Sequence, residues 1–440
     1  MAETPTSVER DLLRQIVTPI PGPKSREMAE QLGRVEGQAI TALSPPPIFW
    51  SRANGSNIWD ADGNRYIDLT AAFGVANVGH AHPEIVEAFH LQAQTLLHGF
   101  GDVHPSETKL ALLRRLVELF PGGQEAHAIL GSSGSDAVEI AIKTAMLATG
   151  RSGLLAFEGA YHGVSLGVLD VTWRSEFRTP FQERLPQKTE FARFGDLDHV
   201  IERAENAKAR GSAPGAVLVE PIQGRGGDRI PPRGFMRGLR ELCDSEGWLL
   251  IADEIYTGFG RTGKLWACDH EEVIPDLLCV GKGLASGVPL SACLGRKSVM
   301  RAWPRPGPEA IHTQTFLGHP ASCAAALASI DLLEREEGVA RSARLGEAAI
   351  RKLQQALSTS PHITEVRGRG LLIALQFRDS ASAQRVVEQA LERGIILLPS
   401  GDTGDVISIS PPLTIEETIF DYALNQIIES IALLPAEQPR

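Results

Sequence analysis

Lys282 stands between Gly281 and Gly283 just past the apolar run 277–280, and Asp253 closes a second apolar run, 249–252. A lysine whose neighbours carry no Cβ can be approached closely by a carbonyl. Lysine is also the residue whose pKa moves most readily on burial, which makes its amine available as a nucleophile. Asp253 adds a negative charge at the same place, because open α/β sheets gather ligands at the C-terminal ends of their strands. The plainer account of the two is a surface lysine beside a turn and an aspartate capping a loop.

Three further segments carry functional residue types. Gly131-Ser132-Ser133-Gly134-Ser135-Asp136 precedes a helical pattern over 137–149 stopped by Gly150. Free amides, hydroxyls and the helix dipole would suit an anionic phosphate there, although an N-cap by Ser133, Ser135 or Asp136 explains the same residues. Gly258-Phe259-Gly260-Arg261-Thr262-Gly263-Lys264 satisfies GxGxxG. It fails as a P-loop, because Leu265 stands where Ser or Thr should hold magnesium, and no helix follows it as a dinucleotide fingerprint requires. Tyr161 and His162, in Glu158-Gly159-Ala160-Tyr161-His162-Gly163, follow the apolar run 154–157, so the ring is either core or offered to a planar ligand. His80 and His82 lack partners at metal-ligand spacing, and no metal is expected.

These residues need a sheet to position them. The runs 154–157, 216–219, 249–252 and 277–280 are apolar on both faces and alternate with helical patterns, which predicts an α/β unit with a mainly parallel central sheet. The N-terminal 47 residues, ending in Ser44-Pro45-Pro46-Pro47, predict an extended arm, and Asp62-Gly63-Asn64 predicts a hairpin over 57–66. After about residue 338 the pattern becomes helix 339–357, strand 371–377, helix 382–393 and strand 395–398. A last helix follows, opened by a capping box at Thr414-Ile415-Glu416-Glu417 and burying Ile419, Ala423, Ile427, Ile431 and Leu434. The expected organisation is an arm and hairpin over 1–75 that join the small unit, a large unit over 76–330, and a small α+β unit over 331–440.

Composition narrows the function classes. With 43% hydrophobic and 22% charged residues the 440-residue chain is an ordinary globular protein, apart from a glycine excess of 43 residues. A net charge of -11 without a basic stripe argues against nucleic acid, and no apolar stretch is long enough to span a membrane. Five scattered cysteines without a CxxC spacing read as reduced thiols, so the expected location is the cytoplasm.

Together the segments resemble the class III aminotransferases of the ornithine and 4-aminobutyrate type, pyridoxal-phosphate enzymes of fold type I. The resemblance runs from about Trp50 to Pro412, and its most specific stretch is Asp253-Glu254-Ile255-Tyr256-Thr257-Gly258-Phe259-Gly260-Arg261-Thr262-Gly263. It implies that Lys282 forms a Schiff base with pyridoxal 5'-phosphate and moves protons at the reacting carbon. Asp253 would keep the pyridine nitrogen protonated, with Tyr161 and Ile255 clamping the ring and His162 and Tyr256 beside it. Ser133, Gly134 and Ser135 would hold the phosphate, joined by Thr315 of Thr313-Gln314-Thr315 reaching across a homodimer interface. Glu220 of Glu220-Pro221-Ile222-Gln223-Gly224 becomes the candidate for recognising a substrate amine or pairing with a mobile cation.

Three departures from the family pattern matter. Ser408 stands where relatives that use 2-oxoglutarate carry an arginine for the α-carboxylate, and a serine cannot make that bidentate pair. Tyr256 replaces a frequent glutamine. Arg225 follows Gly224 where an acidic or small residue is usual, and it could supply the replacement cation. The leading expectation is transfer of an amino group from an amino acid or amine to a keto acid. An amino-acid racemase or epimerase on the same scaffold is the rival, and a non-catalytic binding protein, which would be expected to lose Lys282, is a third reading.

Overall fold

The computed structural model describes residues 13–435 except Gln124, Pro306 and Pro308. Strands β1 (Trp50–Asn54), β2 (Asn57–Asp60) and β3 (Arg65–Asp68) form the antiparallel N-terminal sheet, with the turn at Asp62-Gly63-Asn64 as expected. Asn64 closes that turn by bonding Asp60, while its carbonyl oxygen accepts the amides of Val17 and Thr18.

The central sheet contains β4 (Ala126–Gly131), β5 (Gly153–Phe157), β6 (Thr189–Ala192), β7 (Pro214–Val219), β8 (Leu249–Asp253), β9 (Leu277–Val280) and β10 (Ser291–Arg296). Their order is β4-β10-β9-β8-β7-β5-β6, and only β10 runs against the rest. Every residue of β5, β7 and β9 is buried, which is why these segments show no alternation in the sequence. Helices such as Gly134–Thr149 and Phe235–Glu246 cover the sheet, so the fold is α/β with smaller sheets appended.

The C-terminal strands are β11 (Ile363–Arg369), β12 (Leu372–Phe377), β13 (Ile395–Ile396), β14 (Leu398–Ser400) and β15 (Val406–Ile409). All but β13 form one antiparallel sheet; β13 instead runs parallel to β3 of the N-terminal sheet. Helices Gly338–Leu357, Ser380–Glu392 and Glu417–Ala432 pack against them.

Three local expectations need correction. The proline-punctuated arm holds a helix, Pro23–Val35, whose first turn is held by the Asp62 carboxylate accepting the amides of Lys24 and Ser25. Proline at the first helical position is well placed there, so what reads as a breaker is a start signal. The first twelve residues of the arm lie outside the described residues. Strand 395–398 is divided between two sheets, because the chain crosses from β3 to β15 within it. The final helix begins only at Glu417, and Glu416 precedes it without a side-chain cap. Its start is fixed by a backbone turn, Ile415 N–H to Pro412 C=O, and by Arg341 donating to the Ile415 carbonyl, so the capping-box pattern at Thr414 is a coincidence of composition.

Candidate functional site

Ser133, Tyr161, Glu220, Asp253 and Lys282 lie at or just beyond the C-terminal ends of β4, β5, β7, β8 and β9, along one edge of the sheet. The parallel order therefore gathers residues that are up to about 150 positions apart in sequence.

The helix Gly134–Thr149 is capped by its own sequence. Ser133 Oγ accepts the Asp136 amide, and Asp136 Oδ2 accepts the amides of Ser132 and Ser133. Gly134 and Ser135 occupy the first turn, where amides have no intrahelical acceptor. The N-cap and the anion-site readings of this loop thus hold together: Ser133 caps, and the next two amides stay free for a ligand. A Cβ on Gly134 would sit 3.1 Å from Ile255 Cδ1, and one on Gly163 would come within 2.1 Å of Ser135 Oγ. Side chains at these positions would fill the cavity.

Asp253 is buried and doubly held. Its Oδ2 is 2.7 Å from His162 Nδ1, and its Oδ1 accepts the Ile255 amide at 3.1 Å. His162 is thus the side-chain partner of the Asp253 carboxylate, and it also lines the inner cavity described below. Glu220 is buried as well, with its two oxygens accepting the amides of Tyr161 (2.9 Å) and Gly224 (3.0 Å). Burial pushes its carboxyl up to about 7. It pins the segment carrying Tyr161 to the loop carrying Arg225.

Lys282 has a φ of +32°, which is strained for a residue with a Cβ. Gly283 relieves crowding there, since a Cβ on it would lie 3.1 Å from the Asn77 side chain. The Lys282 ammonium sits 3.9 Å from the centre of the Tyr256 ring, and burial depresses its pKa to about 8. The Tyr256 hydroxyl is turned away and bonds Ser410 Oγ at 2.9 Å, so this tyrosine offers the site its ring face. Arg225 lays its guanidinium over Tyr161 at 4.8 Å and near Phe177 at 5.9 Å.

Two cavities meet at Lys282. The inner one, of about 220 Å³, is lined by Ser133, Gly134, Ser135, His162, Asp253 and Ile255 among others. The outer one, of about 510 Å³, is lined by Phe73, Arg174, Ser400, Asp402 and Ser408. Tyr161, Arg225, Tyr256 and Lys282 line both. The inner cavity suits a flat phosphorylated group, with amides for the anion at one end, a carboxylate for a ring nitrogen at the other and an amine between. Thr315 is exposed and lines neither cavity. Among the described residues no cluster of His, Cys, Asp or Glu could hold a metal ion, and no helix is long and apolar enough to cross a membrane.

Sequence reading missed Phe73, Arg174 and Asp228. Phe73 follows Ala71 and Ala72 in a run of positive φ values of 45°, 49° and 63°, which no residue type announces. Arg174 reaches the outer cavity from a loop, donating to the carbonyls of Arg225 and Gly401. Asp228 follows two glycines in a segment read only as far as Arg225. The GxGxxG stretch is a structural joint: the wholly buried Arg261 donates to the carbonyls of Leu371 and Pro411 and to Asn77 Oδ1.

The family model for class III aminotransferases matches residues 40–431. Acetylornithine aminotransferase of Methanopyrus kandleri is 39% identical over 88% of this chain and 94% of its own length. The 4-aminobutyrate aminotransferase of Mycobacterium leprae is 34% identical over 96% of this chain and 98% of its own. Among solved structures, ornithine aminotransferase from Toxoplasma gondii superimposes with a TM-score of 0.84 at 30% identity, covering 97% of this chain and 98% of its own. An amine transaminase from an uncultivated Pseudomonas species, solved with pyridoxal phosphate bound, gives 0.82 at 29% identity, covering 90% and 96%.

Proposed function

From the premise that this chain belongs to the class III aminotransferases, and is a pyridoxal-phosphate-dependent enzyme that moves an amino group from an amino acid or amine to a keto acid, we propose the division of labour in its site. The observation that supports it is the convergence of Lys282, Asp253 and the free first-turn amides of Gly134 and Ser135 on one cavity.

When bound, pyridoxal phosphate supplies an aldehyde for the amine and a ring that accepts the electrons of a broken Cα–H bond. Lys282 Nζ would hold the group at its aldehyde carbon, and as a free amine it would take up and return the proton at the substrate's Cα. Its lowered pKa lets the free amine accept that proton near neutral pH. Asp253, fixed by His162 and Ile255, holds the proton on the ring nitrogen. Gly134 and Ser135 bind the phosphate with their amides, and Ser133 keeps that helix end in place. Tyr161 and Ile255, which both line the inner cavity, would flank the ring. Thr315, exposed on this chain, completes the phosphate site of the neighbouring subunit of a homodimer. The five cysteines are buried free thiols, in keeping with a cytoplasmic enzyme.

Arg225 is the cation that receives a substrate carboxylate. Its guanidinium lines both cavities on an aromatic platform, and Ser408 brings no cation to the outer one. The experiment is a single-substrate half-reaction: mixing holoenzyme with an amino donor converts the aldehyde form of the cofactor to the amine form and releases one carbonyl product. Exchange of the α-proton with solvent deuterium and loss of optical rotation, without any carbonyl product, would overturn transfer in favour of racemisation. Sedimentation of the holoenzyme as a monomer would remove the role given to Thr315.

A further inference from the structure

The Tyr256 ring is clamped along both edges. A Cβ on Gly74 would come within 2.4 Å of its Cε2, and one on Gly224 within 2.3 Å of its Cδ1, so two bare glycine backbones press on opposite sides of the ring. Gly74 ends the left-handed run that starts at Ala71, and that run carries its backbone to the ring. The hydroxyl is tied as well. Ser410 Oγ donates to the Thr70 carbonyl at 3.3 Å, so in the 2.9 Å contact between Tyr256 and Ser410 the phenol is the donor. With edges and hydroxyl fixed, one face of the ring lies against the Lys282 amine, 3.9 Å from its Nζ to the ring centre. Burial, and after it the charge of Asp228, push the phenol up, so the amine meets a neutral π face.

That face acts differently from the other groups around the amine. Burial lowers the Lys282 pKa against the pull of Glu220, Asp253 and Asp228, while Arg225 adds to the lowering. An aromatic face draws an ammonium to its centre and does little for a neutral amine, most strongly where water is excluded. We propose that Tyr256 is a positioning residue that seats the free, protonated Lys282 amine and so fixes where the proton is held between leaving and returning to the substrate. This rests on the proton-transfer role given to Lys282 above. When the Cα–H bond breaks, its proton joins the neutral amine and its electron pair passes to the cofactor ring. The ammonium so formed settles on the Tyr256 face, where the two cavities meet. A glutamine here, frequent in the family pattern, would offer a carboxamide dipole in place of that face.

Two measurements test this. The first is the midpoint of the pH dependence with which full-length apoprotein takes up pyridoxal phosphate, which reads the titration of the amine. In Tyr256→Leu, an apolar side chain without a π face, the midpoint should fall by about one pH unit, the value of a desolvated cation–π contact. In Tyr256→Phe, which keeps the face, it should stay within about 0.3 unit of wild type. Water admitted beside a smaller side chain would move the midpoint upward, so a rise or no change in Tyr256→Leu overturns the proposal. A Tyr256→Phe midpoint shifted as far as that of Tyr256→Leu overturns it too, by assigning the effect to the hydroxyl and Ser410. If Tyr256→Leu does not fold, 4-fluorophenylalanine at position 256 weakens the π face with little change of shape. Its midpoint should then lie below that of Tyr256→Phe, and equal midpoints overturn the seat.

The second measurement is the half-reaction of holoenzyme with a donor carrying deuterium at Cα. Abstraction of the deuteron should be about tenfold slower in the variant with the weakened or missing face than in Tyr256→Phe. Equal rates beside a shifted midpoint overturn the part given to Tyr256 in proton transfer. A Lys282→Ala protein that abstracts the deuteron at the wild-type rate would remove Lys282 from that step, a failure separate from that of Tyr256.

Discussion

His162 Nδ1 and Asp253 Oδ2 lie 2.7 Å apart with both side chains out of water. The carboxylate fixes the tautomer: Nδ1 carries the proton toward Asp253, and Nε2 is left buried without a partner. His162→Phe leaves Asp253 with a single backbone donor. Its affinity for pyridoxal phosphate should fall about tenfold or more, the value of one charge-assisted hydrogen bond, by fluorescence titration of the apoprotein. Asp253→Asn should lose more and also slow transfer by roughly a hundredfold or more, since it removes the charge that holds the ring proton. Equal affinity in wild type and both variants would take Asp253 out of the site.

Lys282 titrates at about 8 where a free lysine titrates near 10.5, because burial penalises its charged form. Only the neutral amine captures an aldehyde, so the rate at which apoprotein takes up pyridoxal phosphate should rise with pH and level off above about 8. A rate still climbing steeply between pH 9 and 10 would show that the amine is not desolvated. The same shift makes stability rise with pH from about 8 to 10.5, the window in which the unfolded lysine holds a proton that the folded one has released.

Removing the Arg225 guanidinium should act on carboxylate-bearing substrates. Arg225→Ala is expected to raise KM for keto acid acceptors about tenfold to a hundredfold, as loss of a charge-assisted pair does, with a much smaller effect on the half-reaction of a simple alkylamine. Equal effects on both substrate classes would mean that Arg225 supports the Tyr161 ring and nothing else.

Glu254, next to Asp253 in the chain, points the opposite way and is wholly buried. It accepts the amides of Ala267 (2.9 Å) and Cys268 (2.8 Å) and the Thr257 hydroxyl, which fixes the loop between β8 and β9. Glu254→Ala should cost about 3 kcal/mol in urea unfolding, the loss expected when buried donors are left unpaired. Burial raises the Glu254 carboxyl to about 7 from 4.5. Between these values the folded state keeps a proton that the unfolded chain has lost, so stability falls as pH rises through that window. Glu254→Gln should flatten that slope, and an unaltered slope would assign it to the other raised carboxyls, Glu220 and Asp228.

The parts of this molecule legible in the sequence were those where one physical demand acts alone. Runs 154–157, 216–219, 249–252 and 277–280 are apolar because both faces are covered, and each became a strand of the central sheet. The positions of Lys282 and Asp253 at strand ends were legible because each follows one of those runs, at once or after a single glycine. The misreadings arose where two demands overlap. Pro23 starts a helix only because Asp62, far along the chain, receives that helix's amides. Residues 395–398 satisfy strand propensity while belonging to two sheets. His162 on Asp253, and Asp228 beside Ser408, are products of three-dimensional proximity that no spacing encodes.

Arg261 ties the loop after β8 to the C-terminal segments through the backbone carbonyls of Leu371 and Pro411, groups that any amino-acid sequence supplies. The seam is sequence-specific in another respect. A Cβ on Gly346 would fall 1.9 Å from Gly370 O, one on Gly370 would fall 2.4 Å from Gly263 N, and one on Gly263 would fall 2.9 Å from the Ala343 backbone. Grafting the C-terminal third of a distant relative onto this chain would therefore succeed or fail on three missing methyl groups. Shuffled libraries should tolerate wide divergence across the joint provided those three glycines are inherited together.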